Sequence, residues 1–297
     1  MGLTGKIIVN RFGVPGQSLR QAERLMSEFA ARGVDTEIIS DGYLGTGVFG
    51  EVSEASSFFC DFVVYLDKDK YLSAILEKKG IRLFNRHDKI RVCDDKGETV
   101  IALSGHGFNL PDTVFAPLCY DAGAPLFHED ARNIAERLGF PVVVKESFGS
   151  MGKGVHKADN MSELTALMQR LKTVPHIYQR YIDGRVGQDV RVIVIGGKAE
   201  AAMLRSNKND FRSNIALGGK GEKIELKDAF FADFISEAER AARVLGMDYC
   251  GVDILFGKNG EPVICEVNSN AFFDGIEAAT GVNVAAKYAE YILGSFK

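Results

Sequence analysis

The sequence predicts an α/β fold that becomes α+β toward its C-terminus, on three observations. Strands and amphipathic helices alternate through residues 1–94, the pattern of a doubly wound parallel sheet. A buried strand then runs into the glycine-rich loop 148–154. The last third is dominated by paired strands joined at glycine turns, which gives a mixed sheet.

Each element follows from its local pattern. "KIIVN" (6–10) is a strand, and residues 18–33 carry Leu19, Ala22, Leu25, Met26 and Phe29 on one helical face, closed by Gly33. "DTEIIS" (35–40) and "DFVVYL" (61–66) are further strands, with a helix at 70–80 and a strand at 81–85. A helix is expected near 95–107, then the segment "LPDTVFAP" (110–117), and a helix at 129–139 before the strand "PVVVKES" (141–147). Asn160 should cap the helix that starts at Met161, and "HIYQRYI" (176–182) is a strand. Residues 189–206 read as two strands joined at Gly196-Gly197, followed by a helix at 232–246, the hairpin 253–270 and a last helix at 283–294.

At 297 residues the chain accommodates two or three modest domains, expected at 1–94, 95–184 and 185–297. The charge balance, 36 basic against 40 acidic residues, gives −4 and no field that favours nucleic acid or an anionic membrane. No apolar run reaches membrane-spanning length, and "MGLTGKIIVN" reads as a first strand rather than a targeting segment. Five scattered cysteines, never in C-x-x-C, indicate thiols in a reducing, cytoplasmic compartment. The composition is also compatible with an assembly of identical copies.

One glycine pattern is a decoy. "GTGVFG" (45–50) matches the dinucleotide fingerprint, but it follows the second strand and lacks the acidic partner further on. A glycine-rich connection is the better reading. "VVVKESFGSMGKGV" differs, because its strand ends in Lys145 and its glycines let backbone N–H groups approach a phosphate chain. A solvated surface lysine is the plainer alternative, yet four apolar or proline residues precede Lys145, and a buried charge needs a partner.

The hairpin "DILFGKNGEPVICEVNSN" (253–270) poses a sharper question. With Asn259-Gly260 as a two-residue type I′ loop, Lys258 faces Glu261 and Asp253 falls opposite Glu266. Like charges placed so repel. Asn268 shares the face of Glu266, and Gly251 falls opposite Asn268, leaving space beside it. Either basic neighbours pair with these acids, or a cation lies between them; oxygen ligands without His or Cys suit Mg²⁺ shared with phosphates, and Mn²⁺ is admissible. The segment around "FRSN" (211–214), with Lys198, Arg205, Lys208, Arg212, Lys220 and Lys223, is either a solvated face or an electropositive wall toward phosphates.

Taken in order, these pieces resemble the ATP-grasp superfamily, and closely its RimK-type carboxylate–amine ligases. The resemblance rests on "CDDKGET", "VVVKESFGSMGKGV", "YQRYID", "GQDVRVIVIGGK", "DFRSNIALGG", "GVDIL" and "CEVNSNAFFDGIEAATGVNVA", from about Asn85 onward. It implies an ATP-grasp fold: a doubly wound N-terminal domain, a central nucleotide-lid subdomain and a C-terminal mixed-sheet subdomain. Lys96 and Lys145 would contact ATP phosphates, Gln179, Arg180, Tyr181 and Ile182 the adenine, and Asp189 the ribose. Arg212, Ser213 and Asn214 would lie near the γ-phosphate, with Arg212, Asn214 and Lys145 catalytic. Asp253, Glu266 and Asn268 would hold two Mg²⁺ ions. Arg191, Arg205 and Asn270 are candidate contacts for the carboxylate acceptor or the amino-acid amine donor.

Two features depart from the family pattern. Arg180 stands where Glu is common, and Asn270-Ala271-Phe272 replaces a small-Pro-Gly turn, so Phe272 and Phe273 bear on the substrate pocket. The implied activity is ATP-dependent amide formation through an acyl phosphate, often with glutamate. An ATP-binding regulatory or scaffold protein without turnover is the alternative reading. A kinase that stops at phosphate transfer is a third.

Overall fold

The computed structural model describes residues 2–13, 16–40, 47–49, 52–54, 59–126 and 128–297. The chain begins β1 (Thr4–Val9), α1 (Gln17–Ala30), β2 (Asp35–Ser40), β3 (Gly47–Phe49), β4 (Val52–Glu54), β5 (Phe62–Leu66), α2 (Lys70–Lys78) and β6 (Arg82–Phe84). Four of these strands form a parallel sheet in the order β2-β1-β5-β6. The chain passes from β1 to one neighbour and later to the other, so the topological switch point lies between β1 and β5. Of the "GTGVFG" decoy, Gly45, Thr46 and Gly50 lie outside the described residues; residues 47–49 pair with β4 in a small antiparallel ribbon.

Next come α3 (His87–Asp94), α4 (Lys96–Leu103), β7 (Thr113–Phe115), α5 (His128–Leu138), β8 (Val142–Glu146), β9 (Val155–Ala158), α6 (Met161–Leu171) and β10 (His176–Arg180). Their sheet runs β7-β10-β8-β9, antiparallel throughout, and the loop after β8 is the tip of the β8–β9 hairpin. Asn160 caps α6 as expected, its side chain accepting from the Glu163 amide at 3.1 Å.

The remainder is β11 (Gln188–Ile195), β12 (Lys198–Ser206), β13 (Lys220–Ile224), α7 (Ala232–Leu245), β14 (Tyr249–Phe256), β15 (Pro262–Asn268), α8 (Asp274–Thr280) and α9 (Val284–Gly294). The five-stranded antiparallel sheet has the order β13-β12-β11-β14-β15. Sequence reading missed β3, β4, α3, β9, β13 and α8. Each is short, and α8 begins directly after the buried Phe273, so its helical form rests on packing more than on a long apolar period.

The hairpin reaches its expected pairing by an unexpected route. Gly257 donates to the Glu261 carbonyl at 2.7 Å and Gly260 to the Gly257 carbonyl at 2.9 Å. Gly260 alone of the Asn259-Gly260 pair has positive φ, 87°, so the loop has three residues and is not type I′. Leu255 therefore faces Val263, one residue off the count from a two-residue loop. An extra residue, Cys265, then bulges out of β15 and restores the register, so Asp253 faces Glu266 and Gly251 faces Asn268. The bulge also lets Ile264 point into the core while Glu266, two residues on, faces a cavity.

One core joins the first sheet to the last: Ile7, Phe29, Phe62 and Phe84 pack with Ile193, Tyr249, Phe273 and Tyr288. Asn85, 1% exposed, pins this junction by donating to the carbonyls of Tyr249 and Ser269 at 2.7 and 2.9 Å. The C-terminal ends of β1 and β5 are thereby held against the end of β15.

Candidate active site

Lys145 stands on β8, 8% exposed, on the cavity face it shares with Val143, while Val142 and Val144 turn the other way into the core. Its Nζ donates to the Cys265 thiol at 3.4 Å, and among the described residues no carboxylate lies within ion-pair distance of it. A buried ammonium with only a thiol partner is a group that awaits an anion. Lys96, at the start of α4, donates to the Gly149 carbonyl at 3.0 Å and lies 3.5 Å from Glu266.

Arg212 closes the same space from the opposite side. Its Nη1 donates to the Gly152 carbonyl at 2.6 Å, while Nε and Nη2 hold Asp210 at 3.0 and 2.7 Å. Those bonds hold the arginine pKa above its usual value. The loop 148–154 is therefore drawn onto the site by two cations that bond its carbonyls. Met151, φ 60°, is the non-glycine residue with positive φ among the described residues, so this turn is conformationally demanding.

One cavity gathers Lys96, Lys145, Gln179, Arg180, Tyr181, Ile182, Asp189, Arg212, Ser213, Asn214, Asp253 and Glu266. Gln179 presents a buried Oε1 without a partner, its amide nitrogen being spent on Thr113 at 3.0 Å. Regular β10 stops at Arg180, whose guanidinium turns to Asp112 at 2.8 Å and to the Leu138 and Arg137 carbonyls. Of the basic segment, Arg205 and Arg212 face inward, and Lys198, Lys208, Lys220 and Lys223 are exposed.

The opposed acids are resolved by arginines. Arg191 on β11 grips Asp253 bidentately, Nε to Oδ1 at 2.7 Å and Nη2 to Oδ2 at 2.6 Å, and Arg205 adds a contact at 3.0 Å. Arg205 also holds Asp189 directly across the β11–β12 ladder, Nε to Oδ1 at 2.7 Å. Burial would raise the Asp253 pKa, but the two guanidinium groups overcome it and hold it below the usual carboxylate range. Burial likewise pulls Arg205 down, and Asp253 and Asp189 outweigh it.

This network engages three side chains expected at ligands. Arg205, 2% exposed, is bonded to Asp189 and Asp253, and Arg191 spends its Nε and Nη2 on Asp253. The Asp189 carboxylate is held by Arg205. The space beside Gly251 belongs to Ala271, whose Cβ would lie 2.5 Å from an added methyl group.

A second cavity of about 590 Å³ opens beyond Glu266. Arg191, Asn268, Asn270 and Phe272 line it, together with Asn10, Arg20, Asp67 and Lys68 from the first unit. The Asn268 amide nitrogen and the Asn270 Oδ1 are buried there without partners. Phe273, by contrast, is fully buried in the core and touches neither cavity. Asn10 and Asp67 escaped sequence reading; their position just past two parallel strands at a switch point is the signal that marks them.

Among the described residues no three His, Cys, Asp or Glu side chains converge. Glu266, with its side chain 26% exposed, and Asn268 share one face at the boundary of the two cavities. A carboxylate and an amide suit a hard cation whose remaining ligands are phosphate oxygens. Among the described residues no helix is long and apolar enough to cross a membrane.

Residues 95–292 match the family model of the RimK-like ATP-grasp domain. Beta-citrylglutamate synthase B of Danio rerio is 36% identical over 267 residues, covering 86% of this chain and 62% of its own length. This chain thus spans less than two thirds of that synthase. A probable alpha-L-glutamate ligase of Halorhodospira halophila is 36% identical over 228 residues, 75% of this chain and 71% of the relative. The solved structure of the ATP-grasp ligase PsnB with a phosphomimetic variant of its minimal precursor, Mg and ADP shares the fold: TM-score 0.69, 17% identity, 100% of both chains.

Proposed function

The chain belongs to the RimK-like ATP-grasp family, and from that premise we propose an ATP- and Mg²⁺-dependent carboxylate–amine ligase that forms an amide through an acyl phosphate, with glutamate as the favoured amine donor. The observation that carries it is the single cavity in which Lys96, Lys145 and Arg212, from three separate segments, face Glu266. The glutamate assignment is supported by the names of the relatives.

ATP would lie with its base against residues 179–182 and its phosphates among Lys96, Lys145 and Arg212. Lys145 would give the phosphate chain a desolvated positive charge, worth more there than in water. Lys96 and Arg212 would neutralise the transferring phosphoryl group, with Ser213 and Asn214 beside it. When bound, Mg²⁺ would supply Lewis-acid polarisation of the phosphate oxygens, held by Glu266 and Asn268. Asp253 would join them only where an incoming cation displaces one of its guanidinium contacts.

A free carboxylate would have to expel oxide, so its oxygen would first attack the γ-phosphorus of ATP; the bond to the β,γ-bridging oxygen breaks, ADP leaves, and the acyl phosphate formed has phosphate as its leaving group. The amine nitrogen then attacks the acyl carbon, and the carbon–oxygen bond to phosphate breaks. The loop 148–154, tied down by Lys96 and Arg212, would exclude the water that otherwise hydrolyses the intermediate. The test is a matrix of amino acids against carboxylates, starting with citrate and N-acetylaspartate, that measures ADP release and product mass. ADP release that requires both partners supports a ligase, and release with the carboxylate alone, leaving a stable phosphorylated product, indicates a kinase.

One observation favours the second reading, an ATP-binding protein without turnover: Asp253 is already neutralised by Arg191 and Arg205. Mg-ATP binding with no ADP release across the whole matrix would establish it.

A further inference from the structure

Asp67 follows β5 directly and lines the second cavity, yet it is only 7% exposed. Among the described residues no basic side chain lies within ion-pair distance of it. Among the described residues its hydrogen bonds come from one neutral amide: Asn10 Nδ2 donates to both carboxylate oxygens, at 3.0 and 3.1 Å. Every other buried acid bordering the site has an arginine; Asp253 and Asp189 are the cases in point. A buried carboxylate held by one amide leaves most of its acceptor capacity unused and its charge uncompensated.

A second unused acceptor sits in the same corner. Asn270 donates its amide nitrogen to the Leu66 carbonyl at 2.7 Å, which docks the turn after β15 against the end of β5. Its Oδ1 is buried without a partner and lines the same cavity. Asp67 and the Asn270 Oδ1 thus offer acceptors, one of them charged, to one cavity. A primary ammonium group, with three donors and one positive charge, is the ligand that matches.

We propose that Asp67, oriented by Asn10 and assisted by Asn270 Oδ1, is the ammonium-recognition residue of the amine-donor subsite. The assignment rests on the ligase reading for its biological role, but the ammonium preference itself does not. No covalent bond forms or breaks at Asp67. It selects an amine that arrives as the ammonium of a free amino acid; that group gives one proton to solvent before its nitrogen attacks, and a second leaves with the departing phosphate.

The test uses the full chain saturated with Mg-ADP, titrated calorimetrically with the standard amino acids and with their N-acetyl counterparts, which lack the ammonium. At least one amino acid should bind ten-fold or more tightly than its acetylated form. In Asp67→Asn that preference should fall to within about two-fold, Asp67→Glu should recover part of it, and Mg-ADP affinity should be unchanged in both. No ammonium preference in the wild type, or a preference intact in Asp67→Asn, overturns the assignment. An intact preference in a chain that never releases ADP would instead defeat the ligase reading and leave the ammonium site standing.

Discussion

Arg191 and Asp253 lie directly opposite across β11 and β14, and their side chains meet in two parallel hydrogen bonds of 2.7 and 2.6 Å. Arg205 completes the arrangement from β12 and carries Asp189 as well. Four charges on three adjacent strands thus cancel inside the sheet. Each needs the others, because an isolated charge at that depth would lack solvation.

Removing one member should therefore cost more than an ordinary surface ion pair. Arg205→Met leaves Asp189 without its guanidinium and Asp253 with only one, and should lower unfolding free energy by about 3–5 kcal/mol. Urea denaturation followed by circular dichroism measures it; a loss below about 1 kcal/mol, the range of exposed pairs, would mean that the network is solvated.

Glu266 faces the cavity rather than the core and bears on chemistry more than on stability. Glu266→Gln should unfold within about 1 kcal/mol of the wild type, since its shape and exposure are kept. ADP release should fall about a hundredfold or more, as for other removed charges at a phosphoryl-transfer site. Near-normal release would place the cation elsewhere.

Lys145 should report on nucleotide affinity. Lys145→Ala removes the buried, unpaired ammonium and should weaken Mg-ATP binding at least tenfold, about 1.4 kcal/mol. Calorimetry on the two proteins decides it. Equal affinities would mean that the lysine packs beside Cys265 without touching phosphate.

The loop 148–154 should open when its tethers are cut. Arg212→Ala loses the 2.6 Å bond to the Gly152 carbonyl, so trypsin should cleave after Lys153 faster than in the wild type. Mg-ATP should protect the wild-type loop. Identical cleavage rates with and without nucleotide in the wild type would show that the loop does not close over ATP.

Gly251 offers a packing test. A methyl group there would lie 2.5 Å from the Ala271 Cβ, both being backbone-fixed atoms. Gly251→Ala should cost about 1–3 kcal/mol and should displace the turn that carries Asn270. Thermal unfolding reads the first effect, and a weakened ammonium preference reads the second.

Much of this was legible in the residues themselves. Period-two alternation put Glu266 and Asn268 on one face, the apolar run before Lys145 marked a buried lysine, and Asn160 announced its helix. Those signals are local, set by backbone periodicity and by capping of free amide groups. Sequence could not supply the bulge at Cys265, which corrects a loop one residue longer than its glycine turn suggests. Nor could it show that Arg191 and Arg205 neutralise Asp253, that Gly251 makes room for Ala271, or that Asp67 from the first sheet lines one cavity with Asn270 from the last. These depend on contacts between segments tens to hundreds of residues apart. A charge finds its partner only when the strands are stacked, and a strand pattern carries no record of which neighbour will stand beside it.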